Sequence, residues 1–430
     1  MKIIAKLLSS LTALLSIVLI CFPNFVLSIV VAVFLLICNI YAIFKSRNNL
    51  YLLFIFVFIL YCNFSICFSS YIMYIDNFYT TYYMSDISSI AMGVLALFNS
   101  LILLLLPLKK MARAKHYRLI DNNKYSLISC VILLFLLLCI FIFGYTRTSS
   151  GARGVPSTLY EYSIILFILL FYYSGKNKTI ILLATFLLGL FVFNDFVYGG
   201  RITGLQLLLV LFFSLFINKI KKRFLLLFAV IGVLLLVLIG ASREGVGLSI
   251  ETINYTLSEL SARHFTLDTS YAAYHASLVF VDVASVTSTS KKIGMLFKFF
   301  ASIIVGPRNI PDSNVSTYTQ SISFHGGGGL LPFYGFYYLG IIGVTIIALY
   351  VFFLIKTFNK KSKNKFIKCL AVYFVATLPR WYLYSPLDLF RGFLIFACIY
   401  GAIFIVYSVT KPRKKRIIRK RIIHYENCWN

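Results

Sequence analysis

Long apolar runs separated by short polar or charged segments dominate the 430-residue chain. A helix that crosses the hydrocarbon core of a bilayer needs about 20 apolar residues, or about 17 at the short end. Twelve runs meet that length and predict twelve membrane-spanning helices, near residues 6–22, 25–44, 50–70, 87–108, 126–145, 157–173, 179–195, 199–217, 224–240, 329–355, 366–384 and 389–409. We expect a tight hairpin between the seventh and eighth runs, because a single span would bury Asp195 and Arg201 in lipid.

The composition excludes the water-soluble classes of protein. Hydrophobic residues make up 60% of the chain and charged residues only 13%, whereas soluble domains average about 25% charged residues. A net charge of +28 is also typical of nucleic-acid-binding proteins, but those distribute Lys and Arg over a polar surface. Here the cations stand in short clusters between apolar runs. The chain is therefore predicted to be an all-α polytopic membrane protein that contacts membrane lipids and binds no nucleic acid.

The distribution of charge predicts how the chain crosses the membrane. Cytoplasmic loops usually carry the excess of Lys and Arg. With both termini in the cytoplasm, that side holds 30 basic and 2 acidic residues, and the opposite side holds 11 of each. This predicts nine spans in residues 1–240, a large periplasmic loop in 241–328, three spans in 329–409 and a basic cytoplasmic tail in 410–430.

The large loop is too long for an ordinary connection, and its apolar residues recur at helical spacing. Two stripes, within residues 250–260 and 267–281, predict amphipathic helices on the membrane or on the bundle. Residues 291–305 predict a third helix, which is too short to span the membrane and ends at Gly306 and Pro307. We expect this third helix to lie at the membrane interface.

Arginine residues cluster in the loop and at the outer ends of the predicted spans. Arginine suits bidentate contact with phosphate, and the positive end of a helix dipole attracts anions. We therefore expect an anion site at the outer interface, with Arg201 as the best candidate. For each single arginine, the alternative is a side chain that reaches up to the lipid headgroups. The candidate arginines are Arg147, Arg153, Arg201, Arg243, Arg263, Arg308, Arg380 and Arg391.

Other polar residues suggest acid–base chemistry. His325 precedes four glycines and the tenth span, where the run could bind an anion through backbone N–H groups or serve as a flexible hinge. His325, Asp268 and Glu244 are candidate general bases. Three residues have simpler interpretations: His264 and His275 as hydrogen-bonded groups on loop helices, and Glu161 as part of a capping box that begins at Thr158. The large loop contains no cysteine, so we expect neither a disulfide framework nor a metal site.

Three local stretches carry a resemblance to a known family, namely Tyr198–Arg201, His325–Gly340 and Pro379–Pro386. Together with the spans and the late outer loop, they make the chain similar to bacterial O-antigen polymerases of the Wzy type. The resemblance implies a GT-C-like helical bundle in the bacterial inner membrane, with an active site that faces the periplasm and needs no cofactor.

The resemblance also implies a reaction and its substrates. One undecaprenyl-pyrophosphate-linked oligosaccharide would be transferred from its pyrophosphate to a sugar hydroxyl of another. Arg201, Arg243 and the neighbouring arginines would stabilise the leaving pyrophosphate. The candidate bases named above would accept the proton.

Two other functions stay open at this point. An O-antigen ligase shares the large loop and the leaving group but uses another acceptor. A lipid-linked oligosaccharide flippase should have charged residues along a central cavity and short loops, which this chain lacks. The sequence leaves open whether a separate chain-length regulator binds.

Overall fold

A computed structural model describes most of the chain. The described residues are 2–72, 82–111, 118–121, 125–146, 155–198, 202–217, 268–359 and 364–410, with the single positions 254 and 258. The predicted ninth span, nearly all of the first loop stripe and the tail beyond residue 410 lie outside these ranges.

The described residues before 218 form a first group of helices. Two of the helices continue as π-helical segments, at Phe68–Ile72 and Phe212–Phe216. The helices are α1 Lys2–Cys21, α2 Phe25–Ser46, α3 Leu50–Cys67, α4 Asp86–Leu105, α5 Leu108–Met111, α6 Leu127–Phe143, α7 Thr158–Ser174, α8 Lys178–Val197 and α9 Ile202–Leu211. A 3₁₀ turn lies at Leu119–Asp121, and the strands β1 (Tyr145–Thr146) and β2 (Val155–Pro156) form a short antiparallel pair before α7.

The described residues after 267 form a second group of helices. These are α10 Asp268–Val286, α11 Thr289–Val305, α12 Val315–Gln320, α13 Leu331–Phe358, α14 Lys365–Ala376, α15 Leu378–Leu383 and α16 Leu387–Thr410. A 3₁₀ turn at Pro307–Asn309 follows α11.

Local sequence explains where many of these helices begin. Asn and Ser are preferred at the residue before a helix, because their side chains accept a hydrogen bond from an N–H group of the first turn. Asn49 does so for α3 and Ser85 for α4. Within α13 the backbone is not helical at Leu339 and Gly340, where Gly340 has a φ of +58°. Because glycine tolerates that conformation, the helix is divided there into two parts.

The lengths of the helices support an all-α membrane protein. Among the described residues, six helical segments are long and apolar enough to cross a bilayer: Phe25–Ser46, Leu50–Ile72, Asp86–Leu105, Lys178–Val197, Leu331–Phe358 and Leu387–Thr410. Four shorter apolar helices lie at Lys6–Cys21, Leu127–Phe143, Thr158–Ser174 and Ile202–Phe216. The membrane class is thus confirmed, whereas the count of twelve spans and their orientation stay predictions.

One predicted span has a different form from the one expected. Residues 366–384 do not form one helix but break at Thr377 into α14 and the short helix α15. The side chain of Thr377 bonds back to the carbonyl of Tyr373, and Pro379 stands in the first turn of α15. Proline lacks the N–H group that a continuous helix would need at that position, so the chain starts a new helix.

The core of the bundle is built around α4 and α7. Every residue of α7 from Ser163 to Ser174 is buried, and this helix packs against α6, α8, α9, α14 and α16. Helix α4 packs against α1, α2, α10 and α13. The predicted second stripe of the loop belongs to α10, where Tyr274, Leu278 and Val281 are buried against the bundle.

Candidate functional site

Three ionisable side chains meet where α7 and α16 begin. The Nη2 atom of Arg380, on α15, lies 2.6 Å from Oε2 of Glu161 in the first turn of α7. The Nε atom of the same guanidinium lies 3.3 Å from Oδ2 of Asp388 in the first turn of α16. We call Glu161, Arg380 and Asp388 the charged cluster. Because both carboxylates stand at helix N-termini, the helix dipoles favour their negative charge.

The charged cluster is only partly enclosed. The side chains of Glu161, Arg380 and Asp388 are 27%, 25% and 12% exposed. Two carboxylates share one guanidinium, so the cluster has a formal charge of −1. Its carboxylate oxygens can accept hydrogen bonds from hydroxyl groups. An added anion would have to compete with Glu161 and Asp388 for contact with Arg380.

The position of Glu161 corrects the prediction that it is part of a capping box. Helix α7 is capped by Ser157, whose side chain accepts a hydrogen bond from the N–H group of Tyr160 at 3.2 Å. Thr158 is the first residue of the helix rather than its cap. Glu161 therefore lies one position later than a capping box requires, and its carboxylate is directed to Arg380.

Arg391 lies one turn beyond Asp388 on α16 but contacts a different partner. Its Nη1 atom donates to the backbone carbonyls of Ser302 at 3.2 Å and Ile304 at 3.4 Å, in the last turn of α11. A cation at the C-terminal end of a helix is favoured by the dipole. A Cβ atom at Gly306 would approach this guanidinium to 3.1 Å, so the glycine permits the close contact. In this conformation Arg391 holds the end of α11.

The His325–Gly329 run is packed against the bundle. We call residues 325–330 the glycine strap. The N–H group of Gly329 donates to the carbonyl of Leu383 at 3.0 Å, and that of Leu330 donates to Oγ of Ser277 at 2.9 Å. A Cβ atom at Gly329 would lie 2.5 Å from the ring of Phe280, so only glycine fits. This geometry favours neither the flexible hinge nor the open anion site that the sequence suggested, because the strap is docked.

His325 is fully buried, and both of its ring nitrogens have partners within the chain. Its Nδ1 atom accepts from the N–H group of Gly327 at 3.1 Å, which assigns the proton to Nε2. Nε2 then donates to Oγ1 of Thr319 at 3.0 Å, and that hydroxyl donates to the carbonyl of Val315 at 2.9 Å. Burial lowers the pKa of His325. These contacts favour a structural role for His325 over the general-base role expected from the sequence.

A second histidine lies nearby on α10. His275 is buried, with its ring centroid 6.2 Å from that of Tyr82. Burial, followed by the repulsion of a charged His325, lowers the pKa of His275 to about 4. On the same helix, Asp282 accepts a hydrogen bond from the hydroxyl of Tyr82 at 2.8 Å, and the hydroxyls of Tyr71 and Tyr274 are hydrogen-bonded to each other. Helix α10 thus brings hydrogen-bonded polar side chains close to the glycine strap.

Helices α8 and α9 pack against each other, while the residues that join them, 199–201, lie outside the described ranges. Asp195 is buried, and its Oδ2 atom accepts from the N–H group of Gly204 at 2.7 Å, so it caps the beginning of α9. Tyr198, at the end of α8, lies with its ring 5.8 Å from that of Tyr145, which in turn lies 4.9 Å from the ring of Tyr160. This aromatic group borders the first turn of α7, next to Glu161.

The structure brings together only some of the predicted site residues. Arg380 and Arg391 lie on neighbouring elements, and Arg308 lies in the 3₁₀ turn after α11. Asp268 begins α10. The remaining candidates lie outside the described residues: Arg147, Arg153, Arg201, Arg243, Glu244, Arg263 and His264.

Sequence reasoning missed two members of the charged cluster. Asp388 was not singled out, and Glu161 was assigned to a cap. The signal that could have found them is the small number of acidic residues, 13 in the whole chain. Two of these few residues, Glu161 and Asp388, stand in the first turns of apolar helices, and Arg380 stands in an otherwise apolar run.

The site and fold define a helical membrane protein with a charged cluster at one end of its bundle. Within the described ranges, no group of three His, Cys, Asp or Glu side chains could hold a metal ion. Neither a protein-family model nor a curated protein nor a solved structure matches the chain.

Proposed function

We propose that the chain is a lipid-linked oligosaccharide polymerase of the Wzy type, a glycosyltransferase of the bacterial inner membrane that acts at its periplasmic face. The donor and the acceptor are oligosaccharides linked to undecaprenyl pyrophosphate. Support comes from the one-sided distribution of charge along the sequence, and from the three stretches that resemble this family.

The observation that carries the proposal is the contact between two of those stretches. His325–Gly340 and Pro379–Pro386 are distant in sequence, yet the N–H group of Gly329 donates to the carbonyl of Leu383 at 3.0 Å. The hydroxyl of Tyr334 also donates to the backbone carbonyl of Tyr384 at 2.6 Å. The second stretch contains Arg380 of the charged cluster. These contacts place His325–Gly340 beside the stretch that carries Arg380 of the charged cluster.

The charged cluster offers groups suited to glycosyl transfer. In the proposed reaction a hydroxyl oxygen of the acceptor attacks the anomeric carbon of the donor glycan. The bond from that carbon to the pyrophosphate breaks, and the lipid pyrophosphate leaves with the electron pair. Glu161 or Asp388 accepts the hydroxyl proton. Arg380, freed from one carboxylate as that group is protonated, turns its positive charge toward the leaving group.

Deletion of the gene tests the proposal at the level of the cell. A polymerase defect leaves a surface glycan of single repeat units on its lipid anchor. A complete absence of surface glycan would instead indicate a flippase or a ligase, and unchanged glycan ladders would reject all three functions.

A paired set of variants then tests the site. Glu161→Gln should remove long glycan chains while the protein stays in the membrane. Asp312→Asn is the matched control, because Asp312 is an exposed carboxylate that pairs with Lys298 at 3.5 Å, outside the charged cluster. Long chains from both variants would exclude Glu161 from the reaction.

A further inference from the structure

Helix α11 has one face packed on the bundle and another face that no described residue covers. The inward face presents Met295 and Phe299, which are 2% and 6% exposed. The Sδ atom of Met295 accepts a hydrogen bond from the hydroxyl of Tyr337 at 3.5 Å. The ring of Phe299 lies 5.8 Å from that of Phe390 on α16.

The outward face is a stripe of large apolar side chains. Ile293, Phe297, Phe300 and Ile304 are 41%, 71%, 51% and 76% exposed. Their spacing of four, three and four residues places all of them on one side of a helix. We call these four residues the α11 stripe. Exposed apolar surface of this kind is unusual on a face in contact with water and marks a protein, ligand or membrane contact.

Helix α11 lies beside candidate membrane spans that expose apolar side chains. Helix α11 packs against α13 and α16, both of which are candidate membrane spans. These spans expose Ile342 and Ile346 on α13, at 68% and 51%, and Leu394 on α16, at 45%. A bilayer that surrounds the two spans therefore also reaches the helix packed against them.

The charges on α11 indicate how the helix is oriented in a bilayer. Lys291 and Lys292 stand in its first turn, and Lys291 lies over the ring of Tyr318 with 4.4 Å between Nζ and the ring centroid. Helix α11 has no acidic residue. Lysines beside an apolar stripe are the pattern of helices that lie at the surface of anionic membranes.

We propose that α11 is an interfacial lipid-binding helix of this protein. The α11 stripe lies among the acyl chains of one leaflet near the headgroups, and Lys291 and Lys292 contact the phosphates of anionic lipids. Arg391 and Gly306 hold the other end of the helix against α16. This inference concerns the bilayer and is independent of the proposed glycosyl transfer.

Quenching of tryptophan fluorescence by brominated lipids tests the position of the stripe. Trp381 and Trp429 are the two native tryptophans of the chain. A Trp429→Phe background keeps only Trp381, which is 1% exposed. Into this background are introduced Phe297→Trp or Phe300→Trp, with inward-facing Phe299→Trp as the matched control. The full-length proteins are reconstituted in vesicles of phosphatidylcholine with bromines at shallow or deep acyl positions.

We expect shallow bromines to quench the Phe297→Trp and Phe300→Trp variants at least twofold more than deep bromines do. The extent of quenching should be similar in the two variants. The Phe299→Trp control should show no quenching beyond the background protein. Stronger quenching by deep bromines would indicate an inserted helix and overturn the proposal. Protection from lipid quenchers would also overturn it, whether the stripe is open to aqueous acrylamide or covered by a second protein.

A second measurement tests the lysines. Addition of phosphatidylglycerol to phosphatidylcholine vesicles should raise the midpoint temperature of thermal unfolding of the wild-type protein. Lys291→Gln/Lys292→Gln should lose at least half of that increase. Lys298→Gln is the matched control and should retain it, because Lys298 already pairs with Asp312 at 3.5 Å. An increase that is unchanged in the double variant would remove the headgroup contact from the proposal.

Discussion

The charged cluster and the glycine strap are two polar regions of the same bundle, and they differ in how their groups are used. In the charged cluster, Arg380 and its two carboxylates remain between 12% and 27% exposed. In the glycine strap, His325 is fully buried and hydrogen-bonded through both ring nitrogens. The two regions are connected, because the strap docks on Leu383, three residues after Arg380.

The difference teaches that residue type alone does not identify a reactive group. Histidine is the side chain best matched to proton transfer near neutral pH. Both ring nitrogens of His325, however, are hydrogen-bonded within the chain, to Thr319 and to Gly327 of the glycine strap. Glutamate and aspartate are poorer candidates by their ordinary pKa values, yet Glu161 and Asp388 keep 27% and 12% of their side-chain surface exposed. We therefore expect changes in the cluster to affect activity and changes in the strap to affect stability.

The largest effect is expected from Arg380→Met. Removal of the cation leaves Glu161 and Asp388 as neighbouring carboxylates without a counterion, which should lower the free energy of unfolding by about 3 kcal/mol. Long glycan chains should disappear. Thermal unfolding of the purified protein and gel analysis of surface glycan measure the two effects.

A neutral triple variant separates stability from activity. Glu161→Gln/Arg380→Met/Asp388→Asn should recover most of the lost stability, since no unpaired charge remains, but should stay inactive. If the triple variant makes long chains, the charged cluster is not the reactive site.

The next largest effect is the loss of stability at low pH through the two buried histidines. Burial lowers the pKa of His325 and lowers that of His275 from 6.5 to about 4. The unfolded chain therefore binds more protons than the folded chain below pH 6.5, and stability falls as the pH decreases from there to about 4. From His275 alone the expected loss is on the order of 2–3 kcal/mol, measured by thermal unfolding across this range.

The control for the pH effect is His275→Gln/His325→Gln. This variant should start less stable at pH 7 but lose less stability on acidification. Equal slopes for the variant and the wild type would assign the pH dependence to other groups.

A smaller effect is expected from Gly329→Ala in the glycine strap. The added Cβ atom would lie 2.5 Å from the ring of Phe280, so the strap or the ring must move. Overpacking of this kind costs about 1–3 kcal/mol. Gly326→Ala is the control, because its Cβ atom would meet only the Cβ atom of Ala272 at 3.9 Å and its φ is not positive; Gly329 has a φ of +145°, so backbone strain adds to the overpacking there. Similar melting temperatures for the two variants would contradict the docked strap.

The smallest effect tests the corrected cap of α7. Ser157→Ala removes the side chain that accepts from the N–H group of Tyr160, and should cost about 1 kcal/mol. Thr158→Ala should change stability by only a few tenths of that amount. A larger loss of stability from Thr158→Ala than from Ser157→Ala would support the capping box. Glu161 would then both cap α7 and pair with Arg380.

Much of the fold could be predicted because apolar runs in a membrane protein map directly onto helices. The predicted run 25–44 became Phe25–Ser46, and the run 389–409 became Leu387–Thr410. The break at Thr377 was missed, although Pro379 within the apolar run was a visible signal. Prediction by length and hydropathy does not detect a turn whose residues are as apolar as the helices around it.

The candidate site was less predictable because its contacts join distant parts of the chain. Arg380 was singled out, but nothing local relates it to Glu161, more than two hundred residues earlier. His325 was singled out for its chemistry, but its hydrogen bonds with Thr319 and Gly327 are visible only in the packed structure.

The beginning of α16 has a mechanical consequence. Asp388 and Arg391 stand three residues apart, about one turn along the helix, and each contacts a different neighbour: Asp388 pairs with Arg380, and Arg391 donates to the end of α11. Neighbouring turns of a helix move together. A tilt of α16 therefore changes the distance from Asp388 to Arg380 and the distance from Arg391 to α11 at the same time. Since spanning helices tilt in response to bilayer thickness, we expect a change in thickness to alter the Arg380–Asp388 ion pair and the Arg391 contact together.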